Sequence, residues 1–70
     1  MAEVKSEMVG TVWKIVIAVG DSVDEDDTLV ILESMKMEIP VDTPIAGTVK
    51  EILIKEGDVV QEGDVVAIVE

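Results

Sequence analysis

Seventy residues with five lysines, no arginine and sixteen Asp plus Glu carry a formal net charge of −11, yet 49% of the chain is hydrophobic. So short a chain holds one small domain, its acidity argues against nucleic acid and anionic membrane partners, and its hydrophobic content is too high for a disordered acidic tail. His, Cys, Tyr and Phe are also missing, which removes disulfides, Cys and His zinc ligands and the usual neutral-pH acid–base group, and counts against a self-contained enzyme.

The start, Met1 to Glu7, is charged and lacks a long apolar core, so no signal peptide is expected. The longest uncharged apolar stretch, Ile15 to Gly20, is too short to span a bilayer. A cytoplasmic protein with no membrane contact is the expectation. Fourteen Val and eight Ile dominate the apolar residues, and both favour strands over helices.

Residues 10–33 align without a gap on residues 47–70 at an offset of 37, with twelve of 24 positions identical. Two copies are too few for a solenoid, so the expected arrangement is two halves packed face to face about a pseudo-two-fold axis. Each half reads as a strand (Val12 to Ile17; Val49 to Ile54), a Gly-Asp turn (Gly20-Asp21; Gly57-Asp58), a short extended piece, and a second strand (Leu29 to Glu33; Val65 to Glu70). Gly tolerates positive φ, and Asp can bond the local backbone. Asp26 stands where the second copy has Gly63, a swap that the left-handed region allows. Apolar parity shifts between Val12 and Ile15 and between Val49 and Ile52, which predicts a bulge at Trp13-Lys14 and at Lys50-Glu51. Because Trp13 aligns with Lys50, it reads as a partly exposed packing residue.

The repeat does not cover residues 34–46. Glu38, Pro40 and Asp42 alternate with Ile39 and Val41, as a half-buried strand requires. Antiparallel pairing with Leu29 to Glu33 sets Leu32 against Ile39 and Val30 against Val41, and a one-residue slip would expose one partner of each pair. The hairpin, residues 29–43, then has Met35-Lys36 at its tip with Glu33 facing Glu38 just below. The same offset carries the strand at Glu38 onto the strand at Met1. The termini therefore pair at one end while Lys36 projects from the other.

Hairpin turns favour Gly, Asn and Asp, and a two-residue turn demands positive φ at both central positions. Ser34-Met35-Lys36-Met37 contains no good turn former and exposes two flexible apolar side chains. Such local violations concentrate at functional sites.

Glu33-Ser34-Met35-Lys36-Met37 resembles the Glu-Ala-Met-Lys-Met signature of biotinyl domains, the biotin carboxyl carrier modules of biotin-dependent carboxylases. The resemblance runs over nearly the whole chain, through Gly20-Asp21, Leu29 to Met37, Pro44 to Gly47, Glu56-Gly57-Asp58 and Gly63-Asp64. It implies an all-β fold, a flattened barrel or sandwich of two four-stranded antiparallel sheets. It implies biotin as cofactor, amide-linked to Lys36 by a biotin protein ligase. It also implies transport of carboxybiotin between biotin carboxylase and carboxyltransferase subunits. By position Met35 and Met37 flank the attachment lysine, and Glu33 fills the acidic position that the ligase would meet. Ser34 replaces the usual Ala. Glu7-Met8-Val9-Gly10 lacks the prolines that family members often have there, and no insertion interrupts Ser22 to Thr28, so the protruding thumb of some bacterial carriers is not expected.

An aliphatic amine in water is almost wholly protonated at neutral pH. Lys36 unaided is therefore a poor nucleophile, and the ligase is expected to supply the base and the activated acyl group. Lipoyl domains share this hairpin but typically flank the lysine with Asp and Ala, which makes a lipoyl carrier the alternative on the same fold. An unmodified acidic interaction module is a second alternative. Asp24-Glu25-Asp26-Asp27 lacks the EF-hand spacing, with no Gly at the sixth loop position and Met35 in place of the terminal Glu, so no metal is expected. An enzyme acting through a Lys36 Schiff base would need a desolvated pocket and an assisting His or Tyr. Such domains are commonly fused to larger subunits. This chain is expected either to be held to its partners by docking, as a monomer in isolation, or to be an excised piece.

Overall fold

The computed structural model describes residues 2–70. Twelve hydrophobic side chains are buried in its core, and the 37-residue offset pairs them without remainder: Val4 with Val41, Val12 with Val49, Val23 with Val60, Leu29 with Val66, Val30 with Ala67, and Leu32 with Val69. The two buried polar residues, Ser6 and Thr43, are related in the same way. Their hydroxyls do the same work, Ser6 donating to the Met8 carbonyl (2.6 Å) and Thr43 to that of Ile45 (2.8 Å). Burial without a partner would cost each hydroxyl more than the bond contributes.

Eight strands carry this core: β1 (Ala2–Lys5), β2 (Gly10–Ile15), β3 (Ser22–Val23), β4 (Thr28–Ser34), β5 (Met37–Asp42), β6 (Gly47–Ile52), β7 (Val59–Val60) and β8 (Val65–Val69). They form two four-stranded sheets with orders β1-β8-β6-β3 and β5-β4-β2-β7, all pairings antiparallel. Each order is the image of the other under the repeat. The termini pair as the repeat implies, Ala2 opposite Val69; Met1 lies outside the described residues. The edge strands β1 and β5 lie against each other, and the body measures 31 × 18 × 18 Å.

The short strands exchange between halves. β7 of the second copy pairs with β2 of the first, and β3 of the first pairs with β6 of the second. Each half thus completes the other's sheet, and neither can close its core alone.

Bulges fall where the parity shift places them. The β2–β4 register breaks between Val12 and Lys14, leaving Trp13 as the extra residue, and the β6–β8 register breaks between Val49 and Glu51, leaving Lys50. The strand limits differ from the sequence reading: β2 and β6 start at Gly10 and Gly47 and stop at Ile15 and Ile52. At the start, each glycine lies against the neighbouring strand. A Cβ on Gly10 would stand 3.2 Å from the Glu33 carbonyl oxygen, and one on Gly47 would overlap that of Glu70. At the far end the backbone makes one more bond, Val16 N–H to Leu29 C=O and Leu53 N–H to Val66 C=O (both 3.0 Å), and then leaves the sheet for the turn.

Four tight turns share one design. Gly20, Asp26, Gly57 and Gly63 hold φ of 96, 70, 95 and 90°, the left-handed conformation of the third residue in a type II turn. In each the following Asp carboxylate accepts the amide three residues back: Asp21 from Ala18 (2.8 Å), Asp27 from Asp24 (2.8 Å), Asp58 from Lys55 (3.0 Å) and Asp64 from Gln61 (2.9 Å). Part of the acidity of this chain is therefore turn structure. Asp27, in the acidic run, is one of these acceptors.

Candidate functional site

The β4–β5 hairpin adopts the expected register, with Val30 opposite Val41, Leu32 opposite Ile39, Glu33 opposite Glu38, and Ser34 opposite Met37 as the closing pair. Leu32 and Val30 are fully buried and Val41 nearly so, so the lower part of the hairpin is anchored in the core while the tip stands clear of it.

Met35 and Lys36 form the two-residue turn with φ of 51 and 65°. Positive φ at both central positions is what a type I′ hairpin turn requires, and its twist matches that of the flanking strands. Side chains other than Gly resist this conformation by about 1–2 kcal/mol per residue. The anchored ladder below holds it in place. A primary amine is thereby fixed at the apex of a rigid hairpin rather than on a loose loop.

All four sequence-predicted site residues come together at this tip. Lys36 is exposed, Met35 is 92% and Met37 64% exposed, and Glu33 is exposed one ladder position below the closing pair. Among the described residues the only ion pair joins Lys50 to Glu70, so no carboxylate neutralises the Lys36 ammonium. The flanking methionines give apolar, adaptable contact area on either side of the amine. Chemically the site offers one accessible amine, and an amide attachment requires no more of the carrier.

Trp13 belongs to the neighbourhood of this site, which the sequence reading did not recognise. It is 48% exposed, consistent with a partly exposed packing residue, but it shares an open groove of about 360 Å³ with Thr11, Val12, Glu33 and Gly57. The signal was present in the repeat, where Trp13 replaces Lys50. What the repeat alone did not supply was the position of Glu33 beside it.

Among solved structures, a stretch of urea carboxylase from Kluyveromyces lactis superposes with a TM-score of 0.93 at 43% identity, covering 99% of this chain and 6% of that one. A single-chain, multi-domain long-chain acyl-CoA carboxylase gives 0.87 at 29% identity over 94% of this chain and 6% of that one. Among curated relatives, a biotinylated protein TB7.3 homolog from Mycolicibacterium smegmatis is 60% identical over 42 residues, which is 59% of each chain. A biotin/lipoyl attachment protein from Bacillus subtilis is 48% identical over 38 residues, 54% of this chain and 52% of that one. The matched stretches thus span little more than half the length of these relatives. With the two-sheet architecture and the lysine hairpin in place, the match of residues 2–69 to the biotin–lipoyl family model, described as biotin-requiring enzyme, shows that the chain belongs to that family.

Proposed function

We propose that the protein is a covalent biotin carrier, with biotin attached to Lys36 by a biotin protein ligase. The observation that carries this reading is the exposed amine of Lys36 at the apex of a two-residue turn, between two exposed methionines. In the attachment step the Lys36 amine, relieved of its proton by a base on the ligase, would attack the activated acyl carbon that the ligase presents, the amide C–N bond forming as the bond from that carbon to its leaving group breaks. The hairpin's part is presentation. Its ladder keeps the amine clear of the core, and the absence of an ion pair at Lys36 among the described residues means that no carboxylate must be displaced first.

When attached, biotin supplies a ureido nitrogen that takes up and gives back a carboxyl group. The rigid fold would hold the arm at high effective concentration near biotin carboxylase and carboxyltransferase sites. The catalytic groups belong to those partners. A cytoplasmic location is part of this proposal.

Intact mass after co-expression with a biotin protein ligase tests the reading. One added biotinyl group on the wild-type chain and none on Lys36→Arg is the expected result. A lipoyl group in its place would convert the assignment to a lipoyl carrier, and label retained by Lys36→Arg on Lys5, Lys14, Lys50 or Lys55 would overturn it.

A further inference from the structure

The core positions are symmetric under the repeat, so beyond the Lys36 turn itself the two ends of the molecule differ at surface positions where the copies diverge. One divergence stands out because it changes an interaction. In the second copy the bulge residue Lys50 reaches Glu70 and forms an ion pair at 3.6 Å, with the two side chains 53% and 59% exposed. The 37-residue offset carries Lys50 onto Trp13 and Glu70 onto Glu33. The backbone setting is retained, since Thr48 pairs with Glu70 through both of its backbone groups (2.9 Å each) and Thr11 stands opposite Glu33. At the Lys36 end the carboxylate therefore remains, its cation is gone, and an indole lines the same groove.

We propose that Trp13 and Glu33 form a notch for a basic side chain, best a guanidinium, presented by the biotin protein ligase. The inference rests on the carrier reading above. The second copy is the template: a cation beside this carboxylate is what the repeat builds internally at the other end. Replacement of the lysine by an aromatic face leaves the charge to be met from outside and adds a surface on which a planar cation stacks. Glu33 lies on the strand that leads into Lys36, three residues away, so a protein that closes over the amine also covers this groove. The net charge of −11 works in the same direction by steering a basic surface toward the carrier.

The test is steady-state biotinylation of the full chain by the ligase at low and moderate salt, with stability checked by thermal melting. Three variants each change the net charge by the same +1: Trp13→Lys, which installs the second copy's own ion pair; Glu33→Gln; and, as the control at the far end, Glu70→Gln. Trp13→Lys and Glu33→Gln are expected to raise KM about tenfold and flatten its salt dependence while kcat stays within about twofold. Trp13→Tyr should retain most of the affinity, and Glu70→Gln should leave KM unchanged. A folded Trp13→Lys protein with wild-type KM overturns the inference, as does an equal loss in Glu70→Gln, which would mark a general charge effect. If the ligase leaves wild-type Lys36 unlabelled, the carrier reading falls and the notch with it; labelling at Lys36 with unaltered KM in the variants overturns the notch alone.

Discussion

Glu33 and Glu38 stand directly opposite each other on the β4–β5 ladder, one position below the pair that closes the Lys36 turn. Two carboxylates in this relation repel, and their proximity weakens the ladder that holds the strained tip. Glu38→Gln is expected to raise stability by about 0.2–1 kcal/mol. Urea denaturation followed by Trp13 fluorescence measures the gain, which should shrink as salt screens the pair. An equal gain at all salt concentrations would mean that repulsion is not the cause.

The turn itself carries a cost that can be relieved. Asn tolerates the left-handed region far better than Met, so Met35→Asn should stabilise the hairpin by about 0.5–1 kcal/mol, whereas Met35→Val, β-branched, should destabilise it by a similar amount. The same denaturation measurement applies. Because the amine stays in place but loses an apolar neighbour, mass spectrometry of the biotinylation reaction then reports whether stability and acceptor quality are opposed at this residue.

Gly10 and Gly47 occupy equivalent places but differ in clearance. An added Cβ overlaps the backbone oxygen of Glu70 at Gly47, and at Gly10 meets that of Glu33 at 3.2 Å. Gly47→Ala should cost about 2–3 kcal/mol and Gly10→Ala about 1 kcal/mol, since the overlap at Gly47 forces backbone to move whereas the approach at Gly10 needs only a few tenths of an ångström of give. Equal losses would show that the difference in clearance does not set the cost.

The four aspartates that close the tight turns predict a graded series. Removing one acceptor, as in Asp58→Ala, should cost about 1 kcal/mol, while Asp58→Asn keeps an oxygen in place and should lose less. Asp21 and Asp64 sit in separate turns, so their losses should add to that of Asp58. A series in which only one of the three matters would show that the turns are not equivalent in solution.

The amino-acid sequence by itself determined the two-fold repeat, the bulges at Trp13 and Lys50, the register of the lysine hairpin and the strained conformation of Met35 and Lys36. These rest on short-range rules: side chains alternate with period two, a slipped register exposes apolar residues, and a two-residue turn admits few backbone conformations. The tertiary structure alone decided that β3 and β7 exchange between halves, because pairing between distant segments leaves no mark in local periodicity. It also decided that the strands open at Gly10 and Gly47, where two backbones approach too closely for a side chain. Last, it placed Trp13 beside Glu33. Sequence comparison shows Trp13 and Lys50 as a substitution, and only the Lys50–Glu70 ion pair in space reveals that the substitution leaves one carboxylate, next to the attachment lysine, without its cation.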